Sequence, residues 1–390
     1  MIVEKITAIK LTPVFVPFKK FVRATMDSSE GGHGMAIPTD EPWQGGEAVI
    51  CELLTKDGIM GISEVLVWLP ETGVSPNQII DAVENELYKY VLGEDPHNID
   101  KINQKMDSNV ARNEVAKGLL DMACYDLMGK IKGVPVYELI GRKVVDEIPL
   151  TALVPLADLR TMKFLTKGYI RGGYKTIRYK LGRSVEEDVE ISRTIREKVG
   201  SDIKLRVDYN QAYKPEEAVQ AIKAIEQFEI EAAEQPVNKD DYIGMAYVQK
   251  HVNIPLFAHE GFFSLRDFII LVEIGAVKAA GVNGERPGGI TNALKVIDYA
   301  KQKGMGTIIH SQPLGIGSAA LIHLATAKYD SLGYYPELFG DVMLEDDLIV
   351  NPLKYEKGMV KIPEGPGWGV KLDEKALEKY ASAPTVILEK

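Results

Sequence analysis

Four short apolar runs between residues 176 and 260 each stop at a charged side chain: TIRYK at Lys180, LRVD at Asp208 with Asn210 two residues on, IEAAE at Glu234 and PLFAHE at Glu260. The stops lie 28, 26 and 26 residues apart, the length of one strand, one helix and two loops in a parallel α/β repeat. Strands that close into a (β/α) barrel open their C-terminal ends onto one face. Three acids and a lysine are therefore expected in one small volume. Carboxylates gathered at close range raise one another's pKa unless a cation sits among them. Oxygen donors with room for water suit a hard octahedral ion, Mg²⁺ or Mn²⁺, and nothing supplies the thiolates that favour zinc. Asn210 would orient a ligand carboxylate or reach the substrate. His259 and Glu260 are adjacent and would point to opposite faces of a strand, so only one can join the site. A hard cation prefers oxygen, which selects Glu260 over His259. Polar residues continue at the same rhythm as Asn283, His310 and Glu337. Any one of them alone is explained by wet strand ends; the combination is what points to chemistry.

The elements that must position these residues set the size of the protein. A chain of 390 residues fits a barrel of about 250 residues plus a second domain. Hydrophobic residues at 45% and charged ones at 26% match a soluble globular protein with a large core. A net charge of −10 argues against a nucleic-acid footprint or a basic membrane patch. Cys51 and Cys124 are too few for a disulfide framework and favour a reducing compartment. The N-terminus lacks the basic flank of a signal peptide and no apolar run is long enough to span a membrane, so a cytoplasmic location is expected.

Residues 2–17 read as a strand, and residues 49–66 as a hairpin turning at Lys56, Asp57 and Gly58. The Gly, Ser and Pro-rich stretch 23–46 is too long for an ordinary connection and reads as a lid, carrying His33 and Trp43 to the distal end of a substrate. Helices are expected at 76–92, 98–108 and 112–132, the last stopping at Gly133. From residue 148 eight strands are expected, near 148–154, 175–180, 203–208, 231–234, 255–260, 277–283, 306–310 and 334–339. Amphipathic helical stretches lie between most of them. The division that follows is a capping domain at 1–130, a barrel at 131–340 and a tail at 341–390 that returns to the cap.

The runs TIRYKLG, LRVDYNQAY, EAAEQP, IPLFAHE, PGGITNALK and PELFG, with GKIKGVPVYELIGRK before them and IPEGPGWGVKLDE after, cover nearly the whole chain. They resemble the mandelate racemase and muconate lactonizing enzyme branch of the enolase superfamily. The resemblance implies a modified TIM-type (β/α)7β barrel with an α+β capping domain formed by the N-terminal part and the C-terminal tail. It also implies Mg²⁺-dependent removal of the proton α to a carboxylate, the enediolate oxygens being held by the metal, and a homo-oligomer between dimer and octamer. Lys180 takes the catalytic lysine's place, Asp208 and Glu234 those of two metal ligands, and Glu260 that of the third in the racemase-like pattern. Lactonizing enzymes have an Asp where His259 stands. Burial beside Arg178 and the metal would bring a lysine from about 10.4 toward about 7 to 8, where it can act as a base.

Two positions depart from the family. Arg178 stands where a lysine is usual; it keeps the charge, can contact a substrate anion, and cannot act as a second base. Asn283 replaces the lysine that lactonizing enzymes and two-lysine racemases carry on the sixth strand. His310 would lean on Asn283 where racemase-like members supply an Asp. These departures lead to the expectation of a dehydratase that converts a hydroxylated sugar acid to a 2-keto acid. Lys180 would take the proton, His310 would protonate the departing hydroxide, and Glu337 would bond the enediolate or orient His310. The alternatives are a cycloisomerase, a racemase or epimerase of a small carboxylic acid, and a non-catalytic binding protein on the same scaffold.

Overall fold

The computed structural model describes residues 4–27, 32–37, 39, 42–311 and 313–390. Strands β1 (Ile6–Pro17), β2 (Gly45–Thr55) and β3 (Met60–Val67) form an antiparallel sheet in that order. The β2–β3 turn falls at Lys56 and Asp57, and Gly58 takes the positive φ of +80° that such a turn needs. The helix Glu114–Lys132 lies across β3, ending at Gly133 in the left-handed conformation. Its approach demands Gly61, because a Cβ there would stand 2.5 Å from the Ala123 carbonyl oxygen. The expected helix at 76–92 is Pro76–Asn85 followed by a tighter turn at Leu87–Tyr90, and that at 98–108 is Ile99–Asn109.

Strand β4 (Glu147–Pro149) leads into the barrel. Its eight parallel strands are β5 (Thr151–Val154), β6 (Thr176–Lys180), β7 (Lys204–Asp208), β8 (Ile230–Glu234), β9 (Leu256–Ala258), β10 (Ala279–Val282), β11 (Gly306–Ser311) and β12 (Glu337–Leu338), adjacent in chain order. All eight expected strands are present, most of them shorter than expected. The ring closes where the Thr151 amide donates to the Pro336 carbonyl at 2.8 Å. Seven long helices follow the first seven strands, which makes a (β/α)7β barrel. The apolar core inside the ring is small: Ala232, Phe257, Ala279 and Ile308, with Tyr334 against them. Charged side chains fill the space nearer the strands' C-terminal ends.

The cap is tied to the loops that carry the site. Buried Asp121, on the cap helix, accepts from the Thr291 amide at 3.1 Å and from Asn103 Nδ2 at 2.7 Å, which fixes the helix after β10. The tail holds β13 (Tyr355–Glu356), β14 (Met359–Lys361) and β15 (Val386–Glu389). β14 pairs with β4 at the barrel, and β15 pairs with β1 in the cap. Between them Trp368, fully buried, donates its amide to Asp126 Oδ1 at 2.7 Å and its indole N–H to the Ile62 carbonyl at 3.0 Å. Among the described residues no helix is long and apolar enough to cross a membrane. Replacing this pinned side chain tests the tail's role: Trp368→Ala should lower stability by about 3 to 5 kcal/mol, read as a fall in the urea midpoint with the far-UV spectrum unchanged.

Candidate active site

Side chains alternate along β6, so Thr176, Arg178 and Lys180 face the barrel axis while Ile177 and Tyr179 face the helices. The same alternation brings Arg206 and Asp208 inward from β7. One network results. Arg178 Nη2 bridges Asp208 Oδ2 and Glu234 Oε2, the latter at 2.6 Å, and Nη1 lies 3.3 Å from Glu337 Oε2. Lys180 Nζ donates to Asp208 Oδ2 and to Asn210 Oδ1, each at 2.7 Å. Asn210 adopts φ +43°, a left-handed conformation that asparagine tolerates. Its amide returns to Asp208 Oδ1 at 2.9 Å and its Nδ2 donates to Glu260 Oε1 at 3.1 Å. Arg206 joins from below, 3.0 Å from Glu337 Oε1 and bonded to Thr151 Oγ1.

The expectation that only one of His259 and Glu260 can face the site does not hold. β9 ends at Ala258, and the chain bends at His259 and turns at Glu260, so strand alternation no longer applies and both side chains reach the cluster. His259 Nδ1 lies 3.4 Å from Glu234 Oε1, 3.4 Å from Glu71 Oε1 and 3.9 Å from Glu260 Oε2. Its Nε2 meets Arg286 Nη2 at 2.9 Å. Since a guanidinium only donates, Nε2 must accept, and the ring proton belongs on Nδ1.

His310 packs edge-on against His259, ring centroids 4.0 Å apart, with Nε2 3.4 Å from Glu337 Oε2 and neither ring nitrogen hydrogen-bonded. It does not lean on Asn283. The Asn283 oxygen accepts from the Arg286 amide at 2.6 Å and shapes its own loop. His33 and Trp43 pack within the cap. Trp43 stacks on Trp68 at 4.9 Å, His33 bonds the Thr39 carbonyl at 3.0 Å, and both are buried in the cap. Residues 28–31, 38, 40 and 41 of the expected lid lie outside the described residues.

A small pocket, partly continuous with solvent, lies between cap and barrel beside this cluster. Trp68, Glu71 and Thr72 line it from above, and His259, Asn283, Glu285 and His310 from below. Sequence reasoning missed Glu71, Glu285 and Arg286. Arg286 donates to Glu71 Oε1 at 2.8 Å and to the His259 carbonyl at 3.1 Å, joining the short cap helix Leu69–Thr72 to a barrel loop. The available signal was the charged pair Glu285-Arg286 in the Gly and Pro-rich loop after a barrel strand; no local signal marks Glu71 as its partner.

Electrostatics follow burial and neighbours. Burial opposes ionisation of Asp208, but Arg178 and Lys180 hold it below the usual carboxylate range. Burial raises Glu234 well above that range against the pull of Arg178, and burial with Asp208 and Glu71 nearby raises Glu260 to about 7. Burial, offset by Arg286, raises Glu285 to about 7.

Among the described residues, Glu234, His259 and His310 bring ligand atoms within 4.8 Å of one another, a possible three-residue metal site. It differs from the expected set of Asp208, Glu234 and Glu260. Both oxygens of Asp208 are engaged, Glu234 is paired with Arg178, and His259 presents a proton rather than a lone pair toward Glu234, whereas Glu260 Oε2 and both Glu234 oxygens are buried without a hydrogen-bond partner.

Residues 162–376 match the enolase C-terminal domain-like family model, and residues 29–141 match the mandelate racemase / muconate lactonizing enzyme N-terminal domain. The chain is 30% identical over 380 residues to the N-succinyl-L-Arg/Lys racemase of Bacillus cereus, covering 96% of this chain and 97% of that protein. A solved N-succinyl Arg/Lys racemase from the same organism has a TM-score of 0.89 at 28% identity, covering 99% of this chain and all of the other. A hydrophobic dipeptide epimerase of Enterococcus faecalis is 35% identical over 288 residues, 72% of this chain and 80% of that protein. A dipeptide epimerase from that organism, solved with Mg and the dipeptide L-Leu-L-Tyr, has a TM-score of 0.82 at 28% identity over 95% of this chain and all of the other. The relatives named are isomerases, and the expected sugar-acid dehydratase finds no support among them.

The histidines give the site a measurable pH dependence. Burial, reinforced for His259 by His310 and Arg286 and for His310 by Arg178 and Lys180, holds both imidazoles well below the ordinary histidine range. A histidine depressed in the folded state binds fewer protons there than in the unfolded chain, so stability is retained above about pH 6.5 and lost as pH falls below it. Each should account for up to about 1.4 kcal/mol of loss per pH unit. His310→Gln should therefore give a shallower acid limb than wild type in urea midpoints measured downward from neutral pH.

Proposed function

Because the chain belongs to the mandelate racemase and muconate lactonizing enzyme branch of the enolase superfamily, we propose that it is an isomerase that moves the proton at the carbon α to a carboxylate, as a racemase or epimerase of a small N-substituted amino acid or dipeptide. Residues 1–130 and 341–390 cap a catalytic barrel at 131–340, and Trp68 and Glu71 close the pocket from the cap side. The observation that carries this reading is the placement of two unlike proton carriers around one acid cluster. Lys180, on β6, has the donor geometry of an ammonium. His310, on β11, is neutral and its ring nitrogens are unbonded.

In one direction His310 accepts the α-proton and Lys180 delivers its own proton to the opposite face of the planar intermediate; in the other direction the roles exchange. Glu337, 3.4 Å from His310 Nε2, stabilises the imidazolium that forms. The charge of the enediolate falls near Arg178, whose Nε and Nη1 have no hydrogen-bond partner, and such fixed donors act strongly in a site that excludes water.

A second reading is a cycloisomerase, which needs a proton on one face only and so could use Lys180 alone; Asn283, at the position where lactonizing enzymes carry a lysine and turned into its own loop, speaks against it.

The experiment is a panel of N-acylamino acids, dipeptides and muconates in D2O, followed by proton NMR, polarimetry and ultraviolet absorbance. Deuterium should enter the α-position of a single-enantiomer amino acid or dipeptide as optical activity is lost. Lys180→Ala should slow this by at least about 100-fold, and His310→Asn should slow exchange from one enantiomer far more than from the other. Muconate consumption without racemisation would select the cycloisomerase. Binding of the panel without exchange would sink both.

A further inference from the structure

We propose that Arg178 replaces the metal ion in this barrel: its guanidinium is the built-in cation for Asp208, Glu234 and Glu337, and the native protein binds Mg²⁺ or Mn²⁺ weakly or not at all. The inference concerns the cluster's charge and does not depend on which isomerisation the site performs.

Three observations lead to it. First, Arg178 is 1% exposed and forks among three carboxylates from three strands, with Nη2 on Asp208 and Glu234 and Nη1 toward Glu337. A divalent ion drawn to Asp208 and Glu234 would have to lie against this fixed positive charge, or displace a side chain that has no solvent to move into. A lysine is a single point charge on a flexible stem; the planar, five-donor arginine spans two carboxylates at once. Second, His259, at the position where lactonizing enzymes carry an Asp, offers a proton. His259 Nε2 receives Arg286 Nη2, and Arg286 is itself held by Glu71 and the His259 carbonyl. Turning Nδ1 into a ligand would require the opposite tautomer, which would set Nε2–H against a guanidinium N–H. Third, the charges nearly balance already: the four carboxylates Asp208, Glu234, Glu260 and Glu337 face the three cations Arg178, Lys180 and Arg206, so a divalent ion would reverse the sign of the cluster.

The test reads metal binding without substrate. Wild-type protein, stripped with EDTA and titrated with Mn²⁺ under electron paramagnetic resonance, should show no stoichiometric site tighter than about 1 mM, and its melting temperature should be unchanged by Mg²⁺ or EDTA. Arg178→Lys combined with His259→Asp restores a smaller cation and an oxygen ligand. That variant should bind one equivalent of Mn²⁺ at least about tenfold more tightly than wild type, with a melting temperature that rises with metal. One equivalent of Mn²⁺ bound tightly by wild type, or a wild-type melting temperature raised by Mg²⁺, would overturn the proposal even if the double variant failed to fold. These readouts stay decisive if no substrate of the panel reacts.

Discussion

The rest of the barrel depends on the compensation of charge around Arg178. Burying a guanidinium and several carboxylates together costs a large desolvation penalty that only close, well-bonded pairs offset. The strands supply those pairs by register. Parallel pairing sets Lys180 beside Asp208, and Asp208 beside Glu234, while His310 is beside Glu337. Lys180 and Arg178 thus meet Asp208 one strand away, and Arg178 reaches two strands to either side, to Glu234 and to Glu337. The small apolar floor of Ala232, Phe257, Ala279 and Ile308 leaves the upper barrel to this network. A one-residue slip in any strand would send its charges into the helical layer.

The cap acts on the same network through few contacts. Glu71 reaches Arg286 and His259, so a short helix of the cap helps to determine the tautomer of a barrel imidazole. Behind it the ring stack of Trp68, Trp43 and Phe18 stiffens the cap's inner wall. Glu64, on β3, accepts from the Leu314 and Ile316 amides at the start of the helix after β11, a favourable place for a carboxylate. Cap and barrel loops therefore share hydrogen bonds on two sides of the pocket, and a shift of the cap would be felt at His259 before it reached Lys180.

Periodic features were legible in the sequence, and features made by chain ends or distant pairings were not. The barrel rhythm was readable because each strand carries a short apolar run and each helix an amphipathic one, and Lys180, Asp208 and Glu234 were readable as a group because they end consecutive strands. The fate of His259 and Glu260 was not, since it turns on where β9 stops, and strand ends are weakly encoded. Trp43 looked like a lid residue from its Gly and Pro-rich surroundings, yet it has Phe18 and Trp68 to pack against. Arg286 and Glu71 are 215 residues apart, and nothing local to either announces the pair.

The residues at 178, 259 and 283 become one physical statement when set in the network. An arginine at 178 supplies fixed positive charge to the acids; a histidine at 259, pinned by Arg286, removes negative charge from the same corner; an asparagine at 283 omits a cation that would now be in excess. Reverting any one alone would unbalance the site: an Asp at 259 would add a carboxylate beside Glu71, Glu234 and Glu260, and a lysine at 283 would add a cation beside Arg286. Such coupling makes substitutions in contact strongly non-additive. The double replacement at 178 and 259 should therefore be less destabilising than the sum of its parts, because a smaller cation of the same charge at 178 and an added carboxylate at 259 leave room for the same divalent ion.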